Sequence, residues 1–81
     1  MDVIVRYHAL LRERTGRAEE PCALPAGATV AAVLARFAGR YPTLAGLGPS
    51  LRAAVNDEFA APDALLRDGD IVDLLPPFGG G

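Results

Sequence analysis

The amino-acid sequence predicts an α+β domain: a small mixed sheet with one main helix packed on one face. Three observations predict it. A period-two run opens the chain at Asp2–Tyr7, another runs through Ile71–Leu75, and between them Val30–Tyr41 repeats its apolar residues at helical spacing. A single amphipathic helix covers one face of such a sheet and leaves the other partly open.

In the first strand Val3, Val5 and Tyr7 alternate with Asp2, Ile4 and Arg6, so the Val/Tyr side is the expected core face. His8–Arg14 is rich in helix formers and stops at Gly16, which predicts a short helical turn between two strands. In Arg17–Leu24 the residues Ala18, Glu20, Cys22 and Leu24 share one parity. Pro21 cannot donate to a ladder, so this strand is expected at a sheet edge. Pro25–Ala28 reads as a turn and Thr29 as an N-cap. Val30, Val33, Leu34, Phe37 and Tyr41 form the apolar stripe of the main helix, with Val33, Leu34 and Phe37 as its core contribution. Pro42 ends it by disfavouring α geometry at Tyr41.

Thr43–Ser50, with two glycines and a proline, reads as an irregular crossover. Leu51–Val55 is a strand, Asn56-Asp57 a turn, and Phe59 begins a short returning strand. Pro62–Leu66 is a tight connection, and Asp68-Gly69 turns the chain into a last strand, Asp70–Leu75. Val72 and Leu74 share the core parity there, while Ile71, Asp73 and Leu75 face the other way. Scattered exposed apolar residues are ordinary; a cluster on an open sheet face is a candidate docking surface.

The chain has 81 residues, a net charge of −2 and a pI near 5.1. Its scattered arginines make no nucleic-acid footprint, and no apolar run approaches a membrane span. One cysteine, Cys22, allows no internal disulfide, and its strand parity suggests a packed thiol. With no signal-peptide pattern, the expected location is cytoplasmic. All eight basic residues are arginine, so the chain offers no lysine amine as an acyl acceptor. No metal cluster and no GxSxG, HExxH, Walker A or GxGxxG motif occurs. Asp68-Gly69-Asp70 reads as a turn, and neither metal nor cofactor is expected. His8, the lone histidine, reads as a surface or interface residue rather than a catalyst.

The expected organisation is a domain over 1–75 and a tail over 76–81, Pro-Pro-Phe-Gly-Gly-Gly. Two prolines stop sheet pairing and hold the chain extended. Glycines are narrow and flexible enough to enter a tunnel that any side chain would block. Phe78 is an apolar anchor at its mouth. With so little other catalytic inventory, the expected working group is the carboxyl of Gly81.

Several segments together carry a resemblance. They are Ala9-x-Leu11-Arg12-Glu13-x-x-Gly16, Leu24-Pro25-x-Gly27-Ala28-Thr29-Val30, Tyr41-Pro42, Ala54-Val55-Asn56, Leu66-x-Asp68-Gly69-Asp70-x-Val72 and Pro76-Pro77-Phe78-Gly79-Gly80-Gly81. In this order and spacing, over nearly the whole chain, they resemble the MoaD/ThiS sulfur-carrier family of ubiquitin-like β-grasp proteins, on its molybdopterin synthase side. Phe78-Gly79 and Arg6 depart from it: relatives often carry a small aliphatic at the former and an apolar residue at the latter.

The resemblance implies that a ubiquitin-activating-like adenylyltransferase adenylates Gly81 and that a sulfur donor then leaves a thiocarboxylate there. The tail inserts into the large subunit of molybdopterin synthase, in an expected heterotetramer, and sulfur passes to cyclic pyranopterin monophosphate. By position, Gly80 and Gly79 thread the active sites, and Phe59, Leu75 and His8 lie at the partner surface. The chain itself would be a non-catalytic carrier. The alternatives are a carrier for thiamin, tRNA thiolation or cysteine synthesis, a ubiquitin-like protein modifier, and a plain interaction module. Pro-Pro before the glycines favours the molybdopterin type.

Overall fold

The computed structural model describes residues 1–76. Among them, five strands form one mixed sheet in the order β2-β1-β5-β3-β4. The strands are β1 (Asp2–Tyr7), β2 (Glu19–Ala23), β3 (Arg52–Val55), β4 (Glu58–Ala60) and β5 (Ile71–Leu75). The helices are α1 (Leu10–Thr15) and α2 (Val30–Arg40). β1 and β5 are parallel neighbours at the centre, and the other pairings are antiparallel. This is the α+β, β-grasp arrangement expected from the sequence.

The core lies between the sheet and α2. Val3, Val5 and Tyr7 of β1 meet Val72 and Leu74 of β5 and Val30, Val33 and Phe37 of α2, all buried. Leu34 is only half-buried; Val30 takes its expected place in the core. Thr29 occupies the N-cap position with extended backbone, but its side chain makes no capping hydrogen bond. The Val30 and Ala31 N–H groups instead donate to the carbonyls of Ala64 and Pro62. Gly16 closes α1 in the left-handed conformation at φ 74°.

The crossover expected to be irregular is a 3-10 stretch, Pro42–Ser50. Its signal is Leu44 and Leu47, three apart, which a three-residue turn places on one side; Leu44 is buried and Leu47 packs on the core. Gly46, Gly48 and Pro49 break the 3.6-residue pattern that would have advertised a helix. At the β3–β4 hairpin Asn56 and Asp57 have φ of 49° and 71°, as a tight primed turn needs. Pro21 lies on the edge strand β2, as its missing N–H requires.

Candidate functional site

Strand register defines the face that α2 leaves open. Ile4 and Arg6 of β1 lie beside Ile71 and Asp73 of β5, and Ala54 and Arg52 of β3 lie opposite Asp73 and Leu75. Phe59 of β4 lies opposite Ala54. Apolar groups and a few charges therefore share one side of the sheet, and β5 ends there at Leu75.

Two expected partner residues stand on this face. Phe59 is 69% exposed, unusually bare for an aromatic ring, and Leu75 is half-buried. The third, His8, follows β1 and joins them through Asp73: its Nε2 lies 2.6 Å from Asp73 Oδ1. Phe78, Gly79, Gly80 and Gly81 lie outside the described residues.

Between the apolar groups sits a polar cluster that sequence reasoning did not assemble. Arg6 donates from Nε to Asp73 Oδ1 at 2.7 Å and from Nη2 to Asp73 Oδ2 at 3.0 Å. Asp73, 5% exposed, is buried beneath Arg6 and His8. The Arg6 hydrogen bonds hold its carboxyl below the usual carboxylate range, opposed by burial and helped by His8. An ionised carboxylate only accepts, so the hydrogen-bond network assigns the His8 proton to Nε2. Parity alone would have placed Arg6 and Asp73 on the non-core face. Their contact depends on β1 and β5 being neighbours, which no local pattern reveals.

The chain bends between β1 and α1 at Ala9, with φ 50° and ψ −122°, a conformation L residues rarely adopt. Such strain costs about 1–3 kcal/mol and collects at functional positions. Here it lies next to His8.

On the helix side a second cluster is structural. Glu20, 7% exposed, accepts from the Tyr7 hydroxyl, from the Tyr41 hydroxyl at 2.6 Å and from Arg40 Nε at 2.7 Å. Burial alone would raise its pKa; the two tyrosines and Arg40 outweigh burial and lower it. Burial and the facing Glu20 raise the Tyr7 phenol well above its ordinary value. A groove of about 680 Å³ between β2 and α2 is lined partly by Glu20, Cys22, Arg36 and Arg40. It lies on the opposite side of the sheet from Phe59 and Leu75. Cys22 is half-buried, and burial pushes its thiol up, away from the reactive thiolate form. Among the described residues no group of three or more His, Cys, Asp or Glu side chains could hold a metal, and no helix is long and apolar enough to cross a membrane.

Comparison with known proteins follows the same lines. The ThiS family model matches residues 5–81. A molybdopterin synthase sulfur carrier subunit from Chlamydomonas reinhardtii is 34% identical, with all of both chains covered. A putative molybdopterin converting factor, subunit 1, from Pyrococcus furiosus is 29% identical with a TM-score of 0.85, covering 95% of this chain and 98% of that one. Small archaeal modifier protein 1 from Methanosarcina acetivorans is 28% identical with a TM-score of 0.84, covering 99% and 96%. The chain belongs to the ThiS family, and its fold is the ubiquitin-like β-grasp.

Proposed function

We propose that this ThiS-family chain is the sulfur carrier subunit of molybdopterin synthase, with the Gly81 carboxyl as the group that bears sulfur. The observation that carries the reading is the open face: Phe59, Leu75 and the Arg6–Asp73–His8 cluster surround the end of β5, where the chain leaves the sheet for the tail. The name of the Chlamydomonas relative, matched over the full length of both chains, supports the pathway.

On this reading 1–75 is the docking body and 76–81 the delivered arm. A carboxylate is a poor electrophile, so it must first be activated. The carboxylate attacks ATP and releases pyrophosphate, forming an acyl adenylate. Sulfide displaces AMP and leaves a thiocarboxylate directly. Where the donor is a persulfide, the acyl disulfide first formed is cut by a second thiol, which ends in a disulfide with the donor sulfur as the thiocarboxylate is released. That sulfur is ionised and nucleophilic at neutral pH, as thiolates are. In the large subunit it attacks a carbon of the pterin precursor and displaces an oxygen leaving group there. Water then cleaves the bond between the Gly81 carbonyl and sulfur, leaving sulfur on the pterin and returning the Gly81 carboxylate. Gly80 and Gly79 pass through the narrow part of each active site, and Phe78 rests at its mouth. Phe59, Leu75 and His8 hold first the adenylyltransferase and then the large subunit. Sequential partners call for an interface of moderate affinity.

The test is intact mass spectrometry after incubation with ATP, sulfide and the cell's activating enzyme. Replacement of one C-terminal oxygen by sulfur is expected, and a chain lacking Gly81 is expected to show none while keeping its circular dichroism spectrum. No mass change in the full chain overturns the reading.

A second reading, a protein modifier joined through Gly81, is favoured by the likeness to the Methanosarcina modifier protein. The absence of lysine restricts it to attachment without side-chain-linked chains. Adducts of higher mass on a blot of cell extract would support it.

A further inference from the structure

The charges of the open face are unevenly matched. Arg6 commits both Nε and Nη2 to Asp73, whose carboxylate also receives His8. Arg52, exposed on β3 opposite Leu75, has no carboxylate within ion-pair distance among the described residues. Its guanidinium instead lies over the Phe59 ring, 6.0 Å from the centroid. That contact packs the guanidinium on an aromatic face, and no side-chain hydrogen bond of Arg52 occurs among the described residues. Round the sheet edge from the pair, on the α2 side, a groove of about 350 Å³ runs between α2 and the β3–β4 edge. Arg52 and Phe59 line it together with Val30, Leu34, Leu51 and Pro62, an otherwise apolar wall.

A partner that covers Phe59 and Leu75 also removes water from Arg52. A guanidinium without its water needs an opposite charge, and a carboxylate fits its fork with two parallel bonds. A basic partner surface would instead place like charges together. We propose that Arg52 is the charged anchor of the docking face: it receives an Asp or Glu carboxylate of the partner, and the groove beside Phe59 takes apolar side chains next to that carboxylate. The recognised segment is therefore acidic and apolar. This rests on the carrier reading for the identity of the partner and adds the chemistry by which that partner is chosen.

The experiment titrates the full chain against the large subunit of molybdopterin synthase at low and high salt. Arg52→Glu is expected to raise Kd about tenfold or more, and Arg52→Lys, which keeps the charge but not the fork, to raise it less. Affinity of the unaltered chain should fall with salt, and that fall should shrink in Arg52→Glu. Arg67→Glu makes the same net charge change in the exposed turn before β5, at the end of the sheet away from the tail, and is expected to leave Kd within about twofold. Arg52→Glu with unchanged Kd, or a loss shared equally by Arg67→Glu, overturns the anchor. Circular dichroism of each variant separates either result from misfolding. The mass test on the same preparation decides the carrier reading separately. An unaltered chain that gains sulfur but shows no salt-dependent binding refutes the anchor alone, and one that neither gains sulfur nor binds refutes both.

Discussion

Glu20 is the residue whose removal should cost the body most for the fewest atoms changed. Glu20→Leu puts an apolar side chain of similar size at a site beside Tyr7, Phe37 and Tyr41, whose rings lie 5.5–5.9 Å apart. What it removes is the acceptor. The Tyr7 hydroxyl belongs to a residue only 2% exposed, and Glu20 is its hydrogen-bond acceptor. Leaving one such donor unsatisfied costs about 1–3 kcal/mol. Tyr41 and Arg40 are less buried and turn outward at little cost. The expected loss is about 2 kcal/mol, against a total of roughly 4–12 kcal/mol for a domain of this size. Urea unfolding followed by circular dichroism reads it as a fall in midpoint of about 2 M, taking a slope near 1 kcal/mol/M. Adding Tyr7→Phe removes the stranded hydroxyl and should return part of the loss. A cost below about 0.5 kcal/mol, or no recovery in the double variant, refutes the reasoning. The same site sets an acid limb. Its folded pKa is depressed, so its stabilisation is fully present above the unfolded carboxylate value of about 4.3 and is lost as pH falls through the lower folded value. Glu20→Leu should flatten stability against pH below about pH 4.3, with Asp73 and Asp70, both also held low, supplying the remaining slope.

Two further outcomes are expected. Leu75→Asp should weaken binding to the activating enzyme and to the large subunit about tenfold without unfolding the domain, because Leu75 is half-buried on the open face and the new carboxylate would face Arg52 and claim it internally; isothermal titration showing unchanged affinity removes Leu75 from the interface. Ala9→Gly should leave thermal stability unchanged or raise it by up to about 1 kcal/mol, since glycine tolerates φ of 50° and alanine does not; a clear loss in a melting experiment would mean the bend at Ala9 carries no strain.

The elements were legible where the pattern was strong and local. Period two in Val3-Val5-Tyr7 and Val72-Leu74 located the buried strand faces, and Pro21 placed β2 at an edge. Leu34 misled because it lies on the helical stripe but toward the β3–β4 groove, a place only the sheet order defines. The 3-10 stretch hid because its signal is two leucines among glycines and prolines. Thr29 had the right position and the wrong partner: carbonyls from Pro62 and Ala64, more than thirty residues on, served the helix start instead.

The polar clusters were the least legible part for a common reason. Asp73 reads locally as the polar half of an alternating strand, and Glu20 as a carboxylate out of place among apolar neighbours. Each makes sense only through residues brought near by β1, the strand that touches both β2 and β5. β1 sends Tyr7 down to Glu20 on the helix side and Arg6 up to Asp73 on the open side, from adjacent positions. The buried network and the proposed docking face therefore share a strand but not a side of the sheet. Changes to Arg52, Phe59 or Leu75 can retune partner choice while the Tyr7–Glu20–Tyr41 network keeps the sheet and α2 together. That separation lets a domain this small leave apolar and charged surface open on one face without surrendering its core.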